Sequence, residues 1–214
     1  MRVEIEGQER LYDGFFKLDR ITLRHERFDG TMSPPQAILN LERGDAVGVL
    51  LHDVERDVLI LAEQFRYAAH ERTGQGWILD IIAGMVEEGE SAEQVARREA
   101  LEEAGYRLEE LEFIAAFFIS PGGTTERIHL FYAPVCASQR ISEGGGVGSE
   151  DIRLVELPFD EAWTRVEDGR ICDAKTIIAL QWLRLKSLSP GLSACTCGAG
   201  TGVQDRLARE RRGE

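Results

Sequence analysis

The chain has 214 residues, of which 43% are hydrophobic and 29% are charged, a composition that is ordinary for a soluble globular protein. Its formal net charge of −13 is spread without a basic patch, so we expect no nucleic-acid partner. The four cysteines form neither a zinc pattern nor a disulfide framework. No apolar run approaches the roughly 18 residues of a membrane span, and the charged start does not resemble a signal peptide. These features predict a cytoplasmic protein with no membrane partner.

The N-terminal segment, residues 1–44, is expected to form a β-rich arm. Residues 19–25 alternate between polar and apolar side chains, and the pair Asp29–Gly30 is typical of a tight turn. Together these signals predict a β-hairpin over residues 19–31. The arm is a candidate for exchange between two subunits, although the same hairpin could fold onto its own domain.

The segment 45–187 alternates between strand and helix patterns and is predicted to be one folded domain. A Gly-rich and then highly charged segment follows it, so we expect residues 188–214 to form a poorly ordered tail. The patterns predict strands at 45–53, 57–66, 111–119, 127–136 and 151–157, helices at 91–104, 159–168 and 174–186, and a polar loop at 67–77.

The helix predicted from Ser91 to Ala104 carries acids where apolar side chains should pack. Ser91 and Gln94 can form a capping box at its start, and Gly105 favours a left-handed stop at its end. Glu99 and Glu103 continue the apolar stripe of the first turns. Because they are four residues apart, their Cβ atoms should lie roughly 5–6 Å from each other.

Two neighbouring carboxylates on a packing face are costly unless something positive lies between them. The candidates are an arginine, a shared proton, or a divalent cation such as Mg²⁺. Arg97 and Arg98 are expected to point to the sides of the stripe rather than along it. The alternative is a charged surface helix with incidental pairs, such as Arg98 with Glu102. The helix pattern alone does not choose between the two.

The residues around this helix carry a longer motif. Gly84, Glu90 and the run Arg98–Tyr106 stand at the spacing of the Nudix box, and in this region the chain resembles the Nudix hydrolases. The resemblance implies an α/β (α+β) Nudix fold, with a mixed β-sheet sandwiched between helices and a loop–helix–loop that carries the metal ions. It implies metal ligands at the carbonyl of Ala83 and at Glu99, Glu102 and Glu103, with Arg98 and Glu90 orienting them.

The resemblance also implies an activity, the hydrolysis of a diphosphate linkage. Two or three Mg²⁺ ions, with Mn²⁺ as a possible substitute, would neutralise the diphosphate and lower the pKa of an attacking water. Residues 10–187 are similar to the ADP-ribose pyrophosphatase branch, on the segments Glu63–Arg66, Ser120–Glu126 and Asp173–Thr176 among others. The products expected from ADP-ribose are AMP and ribose 5-phosphate.

This branch implies a set of substrate contacts and a general base. The base is expected on the loop before the last strand, where Glu150 is our choice, with Glu143 and Asp151 as alternatives. Gly148 stands where relatives often carry an acid. The glycines of this loop fit a segment that closes on substrate. The substrate contacts implied by the resemblance are Arg66, Phe15, Glu126, Pro121, Gly122 and Met85, with Phe15 reaching across from a partner subunit.

The branch further implies a homodimer. One departure concerns the segment Gln36–Asn40, which lacks the basic residue that often reaches the partner's substrate. Three other functions compete with ADP-ribose hydrolysis. The first is hydrolysis of another nucleoside diphosphate sugar, such as GDP-mannose, UDP-glucose or ADP-glucose. The second is sensing of such a compound without cleavage, and the third is hydrolysis of oxidised nucleoside triphosphates.

Overall fold

Ten strands and four helices lie within residues 1–148 and 150–188, which are the residues that the computed structural model describes. Met1–Trp182 forms one compact unit, and the described part of a second unit is the end of a helix, Leu183–Leu188. The predicted tail at 188–214 lies, beyond Leu188, outside the described residues. Among the described residues, no helix has the length and apolar character needed to cross a membrane.

The arm forms its own three-stranded antiparallel sheet, in the order β1-β2-β3. The predicted hairpin at 19–31 contains most of β2 and the Asp29–Gly30 turn, where the N–H of Arg27 donates to the carbonyl of Thr31 over 2.7 Å. The strand that pairs with β2 across this connection is β3, which lies beyond the predicted bound. The sequence pattern did not predict β1, because charged residues occupy both of its faces and all of it is exposed. The three strands are β1 (Val3–Asp13), β2 (Lys17–His25) and β3 (Gln36–Glu42).

The main sheet has seven strands and is mixed, as expected. Its central path runs β10-β5-β4-β9-β8, with β4 and β9 parallel and the other pairs antiparallel. The strands predicted at 45–53, 57–66, 111–119, 127–136 and 151–157 are all present. The bounds are β4 (Ala46–Asp53), β5 (Val58–Phe65), β6 (Trp77–Asp80), β7 (Ile82–Met85), β8 (Glu112–Phe118), β9 (Arg127–Val135) and β10 (Arg153–Pro158).

The two central strands β4 and β5 pair with each other over only part of their length. Leu51–Asp53 of β4 meets Val58–Ile60 of β5, and beyond that point the strands part. The free half of β4 pairs with β7, and the free half of β5 pairs with β6. A strand edge left open in this way exposes its backbone groups, and β6 and β7 satisfy them. The sheet therefore divides at its centre and leaves a cleft between the two halves.

Four helices complete the fold: α1 (Tyr67–Thr73), α2 (Ala92–Glu102), α3 (Phe159–Glu167) and α4 (Ala174–Leu188). The loop predicted at 67–77 is wrong over its first part, because Ala68 and Ala69 favour a helical turn that Gly74 ends in the left-handed conformation. The capping box of α2 is confirmed: the Ser91 hydroxyl accepts from the Gln94 N–H, and the Gln94 side chain accepts from the Ser91 N–H.

Helices cover both faces of the main sheet, which confirms the expected layering. Phe131 and Ala133 of β9 belong to the same buried cluster as Val95 and Ala100 of α2. Tyr132, between them in the strand, points to the other face and meets the ring of Trp182 on α4, with centroids 5.3 Å apart. Because successive strand residues alternate between faces, α2 and α4 lie on opposite sides of the sheet.

Candidate active site

The cleft between the halves of the sheet contains a cavity of about 470 Å³. It is lined by residues from the ends of β4 and β5, from β6 and β7, from the loop before β9 and from the start of α4. Three of the predicted substrate contacts, Arg66, Met85 and Glu126, are among the lining residues, as are Ala83 and Gly84 of the box. The sequence-predicted residues of three separate segments therefore meet in one cavity.

Two carboxylates of α2 are buried directly behind this cavity wall. Glu103 is only 3% exposed, and one of its oxygens accepts a hydrogen bond of 3.1 Å from the N–H of Ala83. Glu99 lies against Gly84, where an added Cβ atom would stand 1.8 Å from a Glu99 oxygen. Only glycine permits this approach, so the backbone of β7 and the Glu99 carboxylate occupy adjoining space.

Burial raises the pKa of both acids above their usual value of 4.5. Desolvation is the main cause in each case, and it brings Glu99 to about 7 and Glu103 to about 8. Arg98 opposes the shift at Glu99, and the Ala83 hydrogen bond opposes it at Glu103, while Glu150 adds repulsion at both. Without a further cation, this pair resists carrying two negative charges at neutral pH.

Arg98 lies closer to these acids than the helix pattern suggested. Its guanidinium donates to Glu99 over 2.7 Å and to Glu102 over 3.3 Å, and it holds Glu90 through two bonds of 3.1 Å. The expectation that Arg98 points away from the stripe is therefore wrong. The long side chain turns back along the helix surface, a freedom that a projection of Cα positions does not include. The implied pairing of Arg98 with Glu90 is present, and it lowers the pKa of Glu90.

The oxygen atoms around Glu103 are suitable ligands for a hard divalent cation. Carboxylate and backbone oxygens predominate, which suits Mg²⁺, and the buried Glu99 and Glu103 carboxylates, whose pKa values are raised mainly by desolvation, would be stabilised in their charged form by a bound cation. Among residues 1–148 and 150–188, no three Asp, Glu, His or Cys side chains converge as a ready metal site. Glu99 and Glu102 are instead both paired with the Arg98 guanidinium.

The other three predicted substrate contacts do not line the cavity. Phe15 is 81% exposed in the β1–β2 turn and does not line the cavity; its ring lies 4.8 Å from that of Phe16. Pro121 and Gly122 stand at the exposed tip of a turn between β8 and β9 and also lie outside the lining. The same turn brings its two ends, Ile119 and Glu126, into the cavity wall.

Sequence reasoning gave no role to several charged residues of the cavity. Arg43 reaches to 3.4 Å from a Glu126 oxygen and lies over the Phe16 ring at 4.6 Å. Arg66, also in the lining, pairs with buried Asp80 over 3.1 Å. The first contact joins segments far apart in the chain and the second joins the ends of β5 and β6, and no local pattern marks either.

A third ion pair lies at the start of α4, where Lys175 meets Asp173 over 2.6 Å. Asp173 also accepts from the Thr176 N–H and hydroxyl, and Thr176 in turn accepts from the N–H of Ile81 between β6 and β7. The motif Asp173–Thr176 is one of the segments on which the branch resemblance depends. In the structure its hydrogen bonds attach the start of α4 to the bend between β6 and β7, next to the cavity-lining strand β7.

Glu150 lies in the loop before β10. Its carboxylate accepts a hydrogen bond of 2.8 Å from the N–H of Val147, which closes a tight turn. The loop adjoins the end of α2, and the charge of Glu150 contributes to the raised pKa of Glu99 and Glu103. The alternative base Glu143 is exposed and lines a separate surface pocket with Arg140.

The divided mixed sheet and the acid-bearing helix behind its cleft define the class of protein. The family model described as the NUDIX domain matches residues 42–188. This chain belongs to the NUDIX family of hydrolases, whose members generally use a divalent cation such as Mg²⁺.

The relatives found by comparison carry two activities in their names. The chain is 44% identical to the ADP-ribose pyrophosphatase of Escherichia coli strain K12, over 86% of this chain and 88% of the relative. It is 37% identical to the GDP-mannose pyrophosphatase of Cronobacter sakazakii, over 88% of this chain and 98% of the relative. A solved structure titled as an ADP compounds hydrolase superposes with a TM-score of 0.71 at 20% identity, covering 89% of this chain and 97% of that one, which supports the fold.

The raised pKa values predict how stability depends on pH when divalent cations are removed by a chelator. Because the folded chain holds protons on Glu103 that the unfolded chain releases above about pH 4.5, rising pH should lower the free energy of unfolding until pH passes about 8. Glu103→Gln keeps an acceptor for the Ala83 N–H but cannot ionise. Its stability should therefore fall less than that of the unaltered chain between pH 5.5 and 8.

Urea unfolding in the presence of a chelator measures this difference. Glu102→Gln serves as the control, because it removes one acid from the same helix at a more exposed position. The interpretation fails if the free energy of unfolding changes by the same amount in the unaltered chain and in Glu103→Gln across this pH range. Added Mg²⁺ should stabilise the unaltered chain most at the upper end of the range, where the carboxylates are free to bind it.

Proposed function

We propose that this chain hydrolyses ADP-ribose at its diphosphate linkage, giving AMP and ribose 5-phosphate. The observation that carries the proposal is the 44% identity with curated ADP-ribose pyrophosphatases, which extends over 86% of the chain. The cavity supports it, because its volume of about 470 Å³ is large enough for a nucleotide-sized ligand and Arg43, Arg66 and Lys175 are among its lining residues. Water supplies the nucleophile, so no further co-reactant is required.

We propose Mg²⁺, as two or three ions with Mn²⁺ as a substitute, for the cation. Glu99, Glu103 and the carbonyl of Ala83 would hold it, and Glu102 would assist. Once bound, the cation neutralises diphosphate charge and lowers the pKa of water. Arg98 acts from behind: its bonds to Glu90 fix the guanidinium, which in turn orients the carboxylates of Glu99 and Glu102.

The cavity residues would bind and orient the substrate. Arg66 is held by Asp80 and half exposed, so its remaining N–H groups can donate to phosphate oxygens. Glu126 can accept from sugar hydroxyls, and Met85 offers an adaptable apolar surface. Pro121 and Gly122 lie outside the cavity, so a contact from them requires the turn to approach bound substrate.

We propose Glu150 as the general base that takes the proton from the attacking water. Its side chain is exposed and accepts a hydrogen bond from the Val147 N–H of its own turn, in a loop that adjoins the end of α2. Glu143 and Asp151 remain the alternatives.

We also propose a homodimer, in which the arm of one subunit reaches the cavity of the other. Apolar side chains are exposed on two of the arm strands, Ile5 and Leu11 on β1 and Ile38 and Leu39 on β3, and Phe15 is exposed at the β1–β2 turn. Burying this surface in a partner would be favourable. A cytoplasmic location remains a prediction.

One second function is favoured by a specific observation. The 37% identity with GDP-mannose pyrophosphatase covers nearly all of that relative, so GDP-mannose is the alternative substrate. The sensing function is disfavoured, because Glu99, Glu102, Glu103 and Arg98 are all retained.

The substrate is tested with a panel of ADP-ribose, ADP-glucose, GDP-mannose, UDP-glucose, NADH and 8-oxo-dGTP, each with Mg²⁺. We expect ADP-ribose to have the highest kcat/KM. Glu103→Gln should lower that value by at least about 100-fold, since even indirect partners of metal ligands typically contribute 10–100-fold. Preference for GDP-mannose would select the alternative substrate. No cleavage with Mg²⁺ or Mn²⁺ would refute the hydrolase proposal.

The base is tested by Glu150→Gln, compared with Glu143→Gln as a matched variant on the same loop. We expect Glu150→Gln to lower kcat by about 10²–10⁴-fold with KM little changed, because a positioned base acts in the transition state. Glu143→Gln should keep its kcat. If the two variants exchange these results, Glu143 is the base; if neither loses kcat, Asp151 is tested next.

The dimer is tested by light scattering on the eluting protein, with twice the chain mass of 23.9 kDa as the expected result. Phe15→Ala should raise KM by roughly tenfold, since stacking of a base on an aromatic ring contributes about 1–3 kcal/mol. Phe28→Ala is the matched control, because Phe28 is fully exposed at the β2–β3 connection. A monomer with an unchanged KM for Phe15→Ala would exclude a cross-subunit role.

A further inference from the structure

The end of α2 is covered by backbone from a distant segment. The last carbonyls of a helix have no partner within it and need one elsewhere. Here the N–H groups of Gly105 and Tyr106 return to the carbonyls of Leu101 and Ala100. The next two carbonyls belong to Glu102 and Glu103, the residues whose side chains face the site.

These two carbonyls are taken by the glycine run, Gly144–Gly146. The N–H of Gly145 donates to the carbonyl of Glu103 over 2.7 Å, and the N–H of Gly146 donates to that of Glu102 over 3.1 Å. Both contacts connect residues more than 40 positions apart. The glycine run therefore acts as the C-terminal cap of α2, although it belongs to the loop before β10.

The approach of the two backbones leaves no space for a side chain. An added Cβ atom on Gly144 would stand 2.3 Å from the Glu103 carbonyl oxygen, and one on Gly105 would stand 2.1 Å from the carbonyl oxygen of Ser142. Both glycines also have positive φ, at 73° and 78°. Since the colliding atoms are backbone, no rotamer change can relieve the overlap.

The contact extends back along the chain as a zipper. The N–H groups of Ile141 and Ser142 donate to the carbonyl of Gly105 over 2.8 and 3.3 Å, and the Arg107 N–H donates to the carbonyl of Gln139 over 2.9 Å. Residues 139–146 are thus bonded stepwise to residues 102–107. The last bond of this zipper is at Gly146, four residues before Glu150.

We propose that the glycine run is a positioning element that sets the distance of Glu150 from Glu103 by fixing the root of the loop to the end of α2. This inference rests on the proposed function, in which Glu150 is the base. The turn that carries Glu150 follows the last zipper bond directly, through the contact between Val147 and Glu150. One helix thus provides the proposed metal ligands through its side chains and the anchor of the base through its backbone.

The test compares Gly144→Ala with Gly148→Ala. Gly148 also has positive φ, at 66°, but nothing lies within 4 Å of an added Cβ atom there. The pair therefore shares the backbone strain of alanine in this region and differs in the collision with Glu103. Gly144→Ala should lower kcat for ADP-ribose on the order of tenfold to a hundredfold, as expected for a misplaced catalytic group. KM should stay close to that of the unaltered chain, and Gly148→Ala should retain most of its kcat.

Amide hydrogen exchange gives a readout that does not depend on activity. In the unaltered full-length chain the amides of Gly145 and Gly146 should be protected, and in Gly144→Ala they should exchange faster while the strands of the main sheet keep their protection. This measurement also decides the matter if Gly144→Ala does not fold. Rapid exchange at Gly145 and Gly146 in the unaltered chain would overturn the proposed docking.

Two kinetic results would overturn the positioning role. One is an unchanged kcat for Gly144→Ala together with the loss of amide protection, because docking would then have no effect on the base. The other is an equal loss of kcat in both variants, because strain alone would then explain it. If the unaltered chain cleaves no nucleotide of the panel while its amides are protected, the proposed function fails and the docking of the run on α2 stands.

Discussion

The close burial of Glu99 and Glu103 against the backbone of β7 is the constraint on which the site depends. Carboxylates at such depth are costly, and the raised pKa values record that cost. Two residues of β7 make this burial possible. Gly84 has no side chain, so the Glu99 carboxylate can lie against the strand, and the Ala83 N–H serves Glu103. The divided sheet then opens its cleft on the other side of this same strand.

Much of this arrangement could be predicted from the sequence, because its signals are local. The capping box at Ser91 fixes where α2 begins, and Gly105 fixes where it ends. The four-residue spacing then places Glu99 and Glu103 on one stripe with Val95. The alternating segments that become β4, β5, β8, β9 and β10 are equally local. In such segments the local pattern and the fold agree, so the sequence alone predicts the element.

The remainder could not be predicted, for two physical reasons. A helix projection places Cα atoms, but Arg98 reaches Glu99 and Glu102 because its side chain is long enough to turn back. The cavity raises the second difficulty. Arg43 meets Glu126, and Arg66 meets Asp80, only after the strands of the main sheet have been assembled. Short elements such as α1 fail for a related reason, since seven residues carry too little periodicity to separate a helix from a loop.

The electrostatics of the cavity explain how a chain of net charge −13 can receive an anionic substrate. Its cations are each held by an acid: Arg43 by Glu126, Arg66 by Asp80, and Lys175 by Asp173. Binding a ligand then costs these side chains little conformational entropy, because each is already fixed by its partner. The Arg98 guanidinium contacts Glu99 and Glu102 but offsets only part of the cost of their burial, because desolvation still raises the pKa of Glu99 and Glu103. A divalent cation held by these carboxylates, as proposed above, would offset the remainder.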